Sequence, residues 1–273
     1  MVIDAINSGS LPAPYNTKGF AGATIEADFL DEAGGNTKQV AEYRNLVQKR
    51  GVDVVLGYIS SGSCAALAPV VEELQKLTVF AICGTPRVFE EAPRKYSFRT
   101  MAHATADNVA AALYIRDMFP DIKTYTGVNQ NYAWGQDSWR DFQLSMDKLM
   151  PDAKASDKTQ FPKIFAGQYG SEISALALDD AELIHSSFWD GDLEGFIFQA
   201  TPRGLFKNKK VLFTVGGTAA YRLGKRLPTS TARRSSRPRS PMTRRPRRPA
   251  ASRPRIRSSM PIPASSSRAS PPR

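Results

Sequence analysis

VDVVLGYISSGSCAALAPVVEEL, residues 52–74, carries a complete strand–turn–helix unit. Val52 to Ile59 reads as a buried strand, because the run is short, apolar and rich in β-branched residues. It ends in a small polar turn, Ser60-Ser61-Gly62-Ser63. A helix follows, its apolar residues Leu67, Val70, Val71 and Leu74 spaced three and four apart. Hydroxyls and unpaired backbone N–H groups are thereby set at a helix N-terminus, at the carboxyl end of a sheet strand. Such a point favours anions, since the first N–H groups lack partners and the helix dipole is positive there. In open α/β sheets, ligands collect in this crevice. Ordinary N-capping by serine explains the same residues, and at this level both readings stand.

Outward from this unit the same alternation repeats. Ala23 to Leu30 reads as a strand, and a helix runs from an N-cap at Asn36 to about Arg50, with Gly51 as its stop. Thr78 to Cys83 reads as a second buried strand, ending in Gly84-Thr85-Pro86. Phe98-Arg99-Thr100 connects it to a helix from about Ala106 to Phe119. Strands follow at Lys123 to Val128, near Thr159, at Leu183 to Ser187 and at Val211 to Val215, with helices to about Met150, from Ser171 and over Leu193 to Ala200. Repeated strand–helix units imply a parallel sheet covered on both faces. Two successive sets imply an α/β protein of two doubly wound, Rossmann-like lobes, at residues 1–103 and 104–228, with the crossing near Met101 to Thr105. The opening residues, Met1 to Asn7, read as part of an amphipathic helix, although a domain of this class usually starts with a strand.

The net charge of +11 over 273 residues misleads. Residues 229–273 hold 13 arginines and no acid, so the rest of the chain is mildly acidic at −2. Arg, Ser and Pro dominate that tail and no aromatic is present, so it cannot bury enough apolar area to offset ordering and is expected to be disordered. A basic nucleic-acid-binding or membrane-surface tail is one reading. Against it stand the lack of aromatics to stack bases and the use of Arg to the exclusion of Lys. An Arg/Pro/Ser polymer from a GC-rich frame read out of phase is the favoured one, and no nucleic-acid partner is expected. Cys64 and Cys83 are too few for a disulfide scaffold; a bridge is conceivable, and free thiols are the expectation. No apolar run is long enough to span a membrane, and no signal peptide is visible. His103 and His185 are the two histidines, and neither has a Cys, Asp or Glu at ligand spacing. Nucleophile-elbow, dinucleotide and phosphate-loop motifs are absent. The chain is therefore read as no enzyme, with no metal and no cofactor.

Several segments, in order, resemble the type I periplasmic binding proteins, the solute receptors of ABC importers for branched-chain amino acids and amides. They are DAINSGS (4–10), the opening stretch, FAICGTPRVFEE (80–91), FRTMAHATADN (98–108), NQNYAWGQDSW (129–139), GQYGSEISAL (167–176), IHSSFWDGDLEGFIFQA (184–200) and VLFTVGGTAAYRLGK (211–225). The resemblance implies two lobes joined by a hinge and closing on a small amino acid, amide or related carboxylate. It casts Ser61, flanked by Ser60 and Gly62, as the binder of a ligand carboxylate. Gly84 and Thr85 fall where the next strand's turn contributes. Trp134, with Tyr132 nearby, and Trp189 fall where aromatic rings cover the solute. Rings in strand-end loops suit an apolar or cationic group, although core packing is the plain alternative for each.

Three departures follow from the resemblance. Gly217 stands where the family places an acid for an α-ammonium, so a tightly held ammonium is not expected. The family's opening strand and cleft loop lie upstream of Met1, and its last third is replaced by the tail. The first lobe is thus expected to be incomplete, with an unpaired edge beside exposed apolar surface. The implied function is a monomeric solute-binding component that meets an importer's membrane subunits. By resemblance it is periplasmic, or cytoplasmic if translated as it stands. A cytoplasmic ligand sensor on the same fold and a non-functional fragment are the alternatives.

Overall fold

The strands are short, from Lys154–Ala155 to Leu183–Ser186, in a computed structural model that describes residues 2–223. The expected tail at 229–273 lies outside the described residues. The chain runs α1 (Val2–Ser8), α2 (Gly35–Gln48), β1 (Val55–Gly57), α3 (Ser61–Leu74), β2 (Thr78–Phe80), α4 (Arg87–Glu90), β3 (Ser97–Arg99), α5 (Ala104–Met118), β4 (Thr124–Gly127) and α6 (Ala133–Leu149). It continues through β5 (Lys154–Ala155), α7 (Gly170–Leu178), β6 (Leu183–Ser186), α8 (Asp190–Ala200), α9 (Leu205–Asn208), β7 (Lys210–Phe213) and α10 (Ala220–Leu223). The α/β class with parallel sheets is as the alternation implies. Helix α3 takes in Ser61 to Ser63 as its first turn, and Leu67, Val70 and Val71 are buried as their spacing requires.

The first sheet is β1-β2-β3, all parallel. Helices α2 and α3 cover one face, where Tyr43, Leu67 and Val71 pack on Val55 and Phe80. The Tyr43 and Thr78 hydroxyls bond there at 2.7 Å. On the other face Leu56, Val79 and Phe98 stand side by side in register. Leu56 is 71% exposed and Phe98 52%.

The second sheet is β5-β4-β6-β7, also parallel. Its central strand β6 is buried throughout, and its side chains alternate between two cores. Leu183 joins Phe142 and Met146 of α6 and Ile115 of α5. Ile184 joins Ile173 of α7, Phe188, and Phe196 of α8. Helices therefore cover both faces, the usual arrangement of a parallel sheet.

Several expectations are corrected. Residues 23–30 form no strand: Phe20 and Ala23 make an isolated antiparallel bridge, and the Asn7 amide takes both the N–H and the C=O of Ile25 at 2.8 Å. That side chain occupies the groups a neighbouring strand would have used. Helix α2 is capped by Gly34 at φ 107°, not by Asn36. A left-handed residue is easiest for glycine. The strand expected near Thr159 lies at Lys154–Ala155, and Gln160 makes only an isolated bridge to Val128. Ser60 is the N-cap residue of α3 but makes no side-chain cap bond. Cys64 and Cys83, expected as free thiols, form a disulfide with Cα atoms 6.2 Å apart, within the ordinary bridging range. The pairing of β1 with β2 brings the residues after each strand side by side, which sequence spacing does not reveal.

Candidate functional site

Parallel strands deliver every strand-end loop of a sheet to one rim. In the first half the rim carries Ser60 to Ser63 after β1 and Gly84-Thr85 after β2. Ser61 is buried, and its Oγ accepts the Thr85 N–H at 3.1 Å. A hydroxyl that accepts still holds its own proton, so Ser61 retains a donor for an acceptor group. Gly62 lies against Asn36, whose Nδ2 is 3.6 Å from where a Cβ would be. Asn36 Oδ1 also accepts from Ser63 Oγ at 3.3 Å.

The second half reaches this loop through Trp134. A Cβ on Gly84 would fall 2.3 Å from the indole ring, so only glycine admits the contact. The ring's Nε1 donates to the Ser187 carbonyl at 2.9 Å. Ser187 Oγ in turn donates to Asn129 Oδ1 at 2.7 Å. Trp134 therefore wedges between the loop after β2 and the loop after β6. Trp189 sits at the N-cap of α8 and donates through Nε1 to the Tyr132 hydroxyl at 2.9 Å. Burial pushes the Tyr132 phenol up, well above its usual range, so it stays protonated. The sequence candidates Ser61, Gly84, Thr85 and Trp134 are thus brought into one contiguous group, and Tyr132 pairs with Trp189 beside it. Gly217 stands apart in the 3-10 turn Gly216–Thr218, where an added Cβ would meet nothing within 4 Å.

Thr85 is more heavily committed than its casting implied. Its Oγ1 donates to Asp137 at 2.7 Å and its carbonyl accepts from Arg99 at 2.7 Å. Several groups escaped the sequence reading. Asp137 is fully buried among Thr85, Arg87 and Arg140. Glu32 accepts the Tyr58 and Ile59 N–H groups at 2.8 and 3.1 Å, which puts a carboxylate beside the Ser60 turn. Phe165 is 62% exposed and holds φ 57°. Its N–H is bound by the buried Asp192 carboxylate, and its ring meets Trp189 edge-on at 5.6 Å. A positive φ on a bulky residue is strained, and sequence carries no signal for it. Asp137 lies three residues beyond Trp134 on α6, a spacing that shares a helix face, which is the one hint available. Among the described residues, no cluster of His, Cys, Asp or Glu is arranged to hold a metal, and no helix is long and apolar enough to cross a membrane.

A family model described as periplasmic binding protein matches residues 1–229. Solved structures share the fold. A solute-binding protein from R. palustris in complex with 4-hydroxybenzoate matches at TM-score 0.62 and 20% identity, covering 70% of this chain and 51% of that one. A periplasmic binding protein from Burkholderia mallei matches at 0.69 and 17%, covering 81% and 57%. A branched-chain amino acid transporter substrate binding protein from Streptococcus pneumoniae, in complex with isoleucine, matches at 0.63 and 15%, covering 77% and 55%. The chain spans about half the length of these structures. No curated protein matches the chain.

Proposed function

Since the chain belongs to the periplasmic binding protein family, we propose that it is the solute-binding component of an ABC importer, taking a small carboxylate with an aromatic or apolar body. The observation that carries this is the contiguous group of Ser61, Gly84, Thr85 and Trp134, in which a buried hydroxyl with a donor to spare lies one residue from an indole contact. Ser61 and the first N–H groups of α3 suit a carboxylate. Trp134, Trp189, Tyr132 and the exposed ring of Phe165 suit the body of the solute. Relatives holding 4-hydroxybenzoate and isoleucine fall on either side of this choice. Binding follows closure of the two halves about the crossing near Met101 to Thr105. The partners are the solute and the importer's membrane subunits, and the compartment is the periplasm.

A second reading, an amino acid, gains support from Glu32. Gly217 offers no acid for an ammonium, but the Glu32 carboxylate beside the Ser60 turn does. Titration calorimetry with 4-hydroxybenzoate and with isoleucine separates the two. The aromatic carboxylate is expected to bind, and Ser61→Ala to weaken it by about 1–3 kcal/mol, the range for a hydrogen bond to a charged group. Tighter binding of isoleucine that is lost in Glu32→Gln would replace the first reading with the second. An affinity indifferent to Ser61→Ala would remove Ser61 from the site.

A further inference from the structure

The two halves of the molecule meet at a buried charge. Asp137, on α6 of the second half, is fully buried. Its carboxylate accepts Thr85 Oγ1 at 2.7 Å, and Arg87 Nε and Nη2 at 2.8 and 2.6 Å, all from the first half. Arg140 Nη1, from its own helix, donates at 3.1 Å. Arg140 also pairs with Asp141 at 2.7 Å, and Asp141 accepts Thr105 Oγ1 at 2.7 Å. The two guanidiniums and two carboxylates balance, so the cluster offers no surplus charge to an outside ion. A buried carboxylate is tolerable only while paired, and removing partners leaves it uncompensated. Parting the halves would take away Thr85 and both Arg87 contacts at once, leaving Arg140 alone.

Thr85 is the same residue whose N–H rests on Ser61 Oγ. The residue before it carries the Trp134 contact. We infer that Asp137 is a positioning residue that holds the 84–87 loop in its ligand-ready form and ties that form to contact between the halves. Its ligand arm rests on the solute-binding reading above; its conformational arm does not.

Amide hydrogen exchange on the full chain tests it, because exchange reports local opening region by region. Asp137→Asn and the half-exposed Arg87→Gln are compared with the unaltered protein. Residues 84–90 and 133–141 are expected to exchange about tenfold faster, one decade for each 1.4 kcal/mol lost. The amides of α2 and α8 are expected to keep their rates. Should Asp137→Asn fail to fold, Arg87→Gln decides. Unchanged rates over 84–90, or equal acceleration in α2 and α8, would overturn the inference, since the second outcome is a mere loss of global stability. With 4-hydroxybenzoate as probe, dissociation should quicken about tenfold with association unaltered. Faster loop exchange with unchanged dissociation would break the tie to the ligand. A probe that fails to bind the unaltered protein counts against the solute-binding reading alone.

Discussion

Among the described residues, the second sheet is covered on both faces and the first on one. Around β6, Leu183 and Ile184 enter separate cores on opposite sides. Around β2, Phe80 enters a core while, among the described residues, no helix lies over the opposite row of Leu56, Val79 and Phe98. The first half also has the disulfide, Cys64 to Cys83, linking its helix to the loop after β2. Similar strand runs thus end in unequal environments, and the difference lies in what the rest of the fold places over them. An apolar residue stabilises only to the extent that it leaves water.

The largest expected effect tests the covered side. Phe196 is fully buried and meets Tyr169, Phe188, Phe206 and Phe213 ring to ring. Phe196→Ala should cost about 3–5 kcal/mol in urea unfolding, through lost burial and the cavity left behind. A loss under about 1 kcal/mol would mean that the second core is far looser than its burial implies.

A smaller effect reads the same core through pH. His185 stacks on Phe142 with ring centroids 4.3 Å apart, and its Nε2 meets Asn108 Oδ1 at 2.7 Å. Burial lowers its pKa from 6.5 to about 3, so it stays neutral in the fold. Below pH 6.5 the unfolded chain binds a proton that the fold does not, so stability is full above that pH and falls as pH drops toward 3. The slope is roughly 1.4 kcal/mol per pH unit for one proton. For Glu72, burial acts to raise the pKa, but N–H groups of Lys95, Tyr96 and Ser97 outweigh it and bring the pKa below 4.5. Its contribution is therefore lost only further down the pH scale. Urea midpoints at pH 7 and pH 5 should differ for the unaltered protein and converge for His185→Gln; an unchanged difference would exclude His185 as its source.

The smallest effect belongs to the bare side. Phe98→Ser should change stability by no more than about 0.5 kcal/mol, as at exposed sites generally. It should also reduce binding of a hydrophobic dye, because contiguous exposed apolar surface attracts such probes. A loss comparable to that of Phe196→Ala would show that this face is covered in solution and would erase the contrast between the halves.

Much of the fold was legible. Runs such as 183–187 and 211–215 are short, apolar and bounded by turn residues, so their strands needed no partner to be recognised. Residues 23–30 carry a similar signal and fail, because Asn7 takes the backbone groups of Ile25. Strand β5 carries almost no signal, since both its residues are exposed. The candidate site divides the same way. Ser61 follows a strand end and was singled out by position, whereas Trp134 and Trp189 were singled out by the family resemblance. Asp137 reads in sequence as one more acid on an amphipathic helix, and Arg87 as one more base in a loop.

Local sequence set the periods, two for strands and about 3.6 for helices, and the turn residues between them. Those are local properties, set by backbone sterics and by which side chains avoid water. Which loops share a rim was settled only when the strands paired into two sheets. The pairings came only with the folded arrangement. Asp137 meets Arg87 across 50 residues, Cys64 meets Cys83 across 19, and Leu56 lies in the open while Leu183 lies in a core. Each depends on what the chain brings back from a distance. A charge or an apolar surface acquires its energy from its surroundings, and those do not exist until the chain has folded.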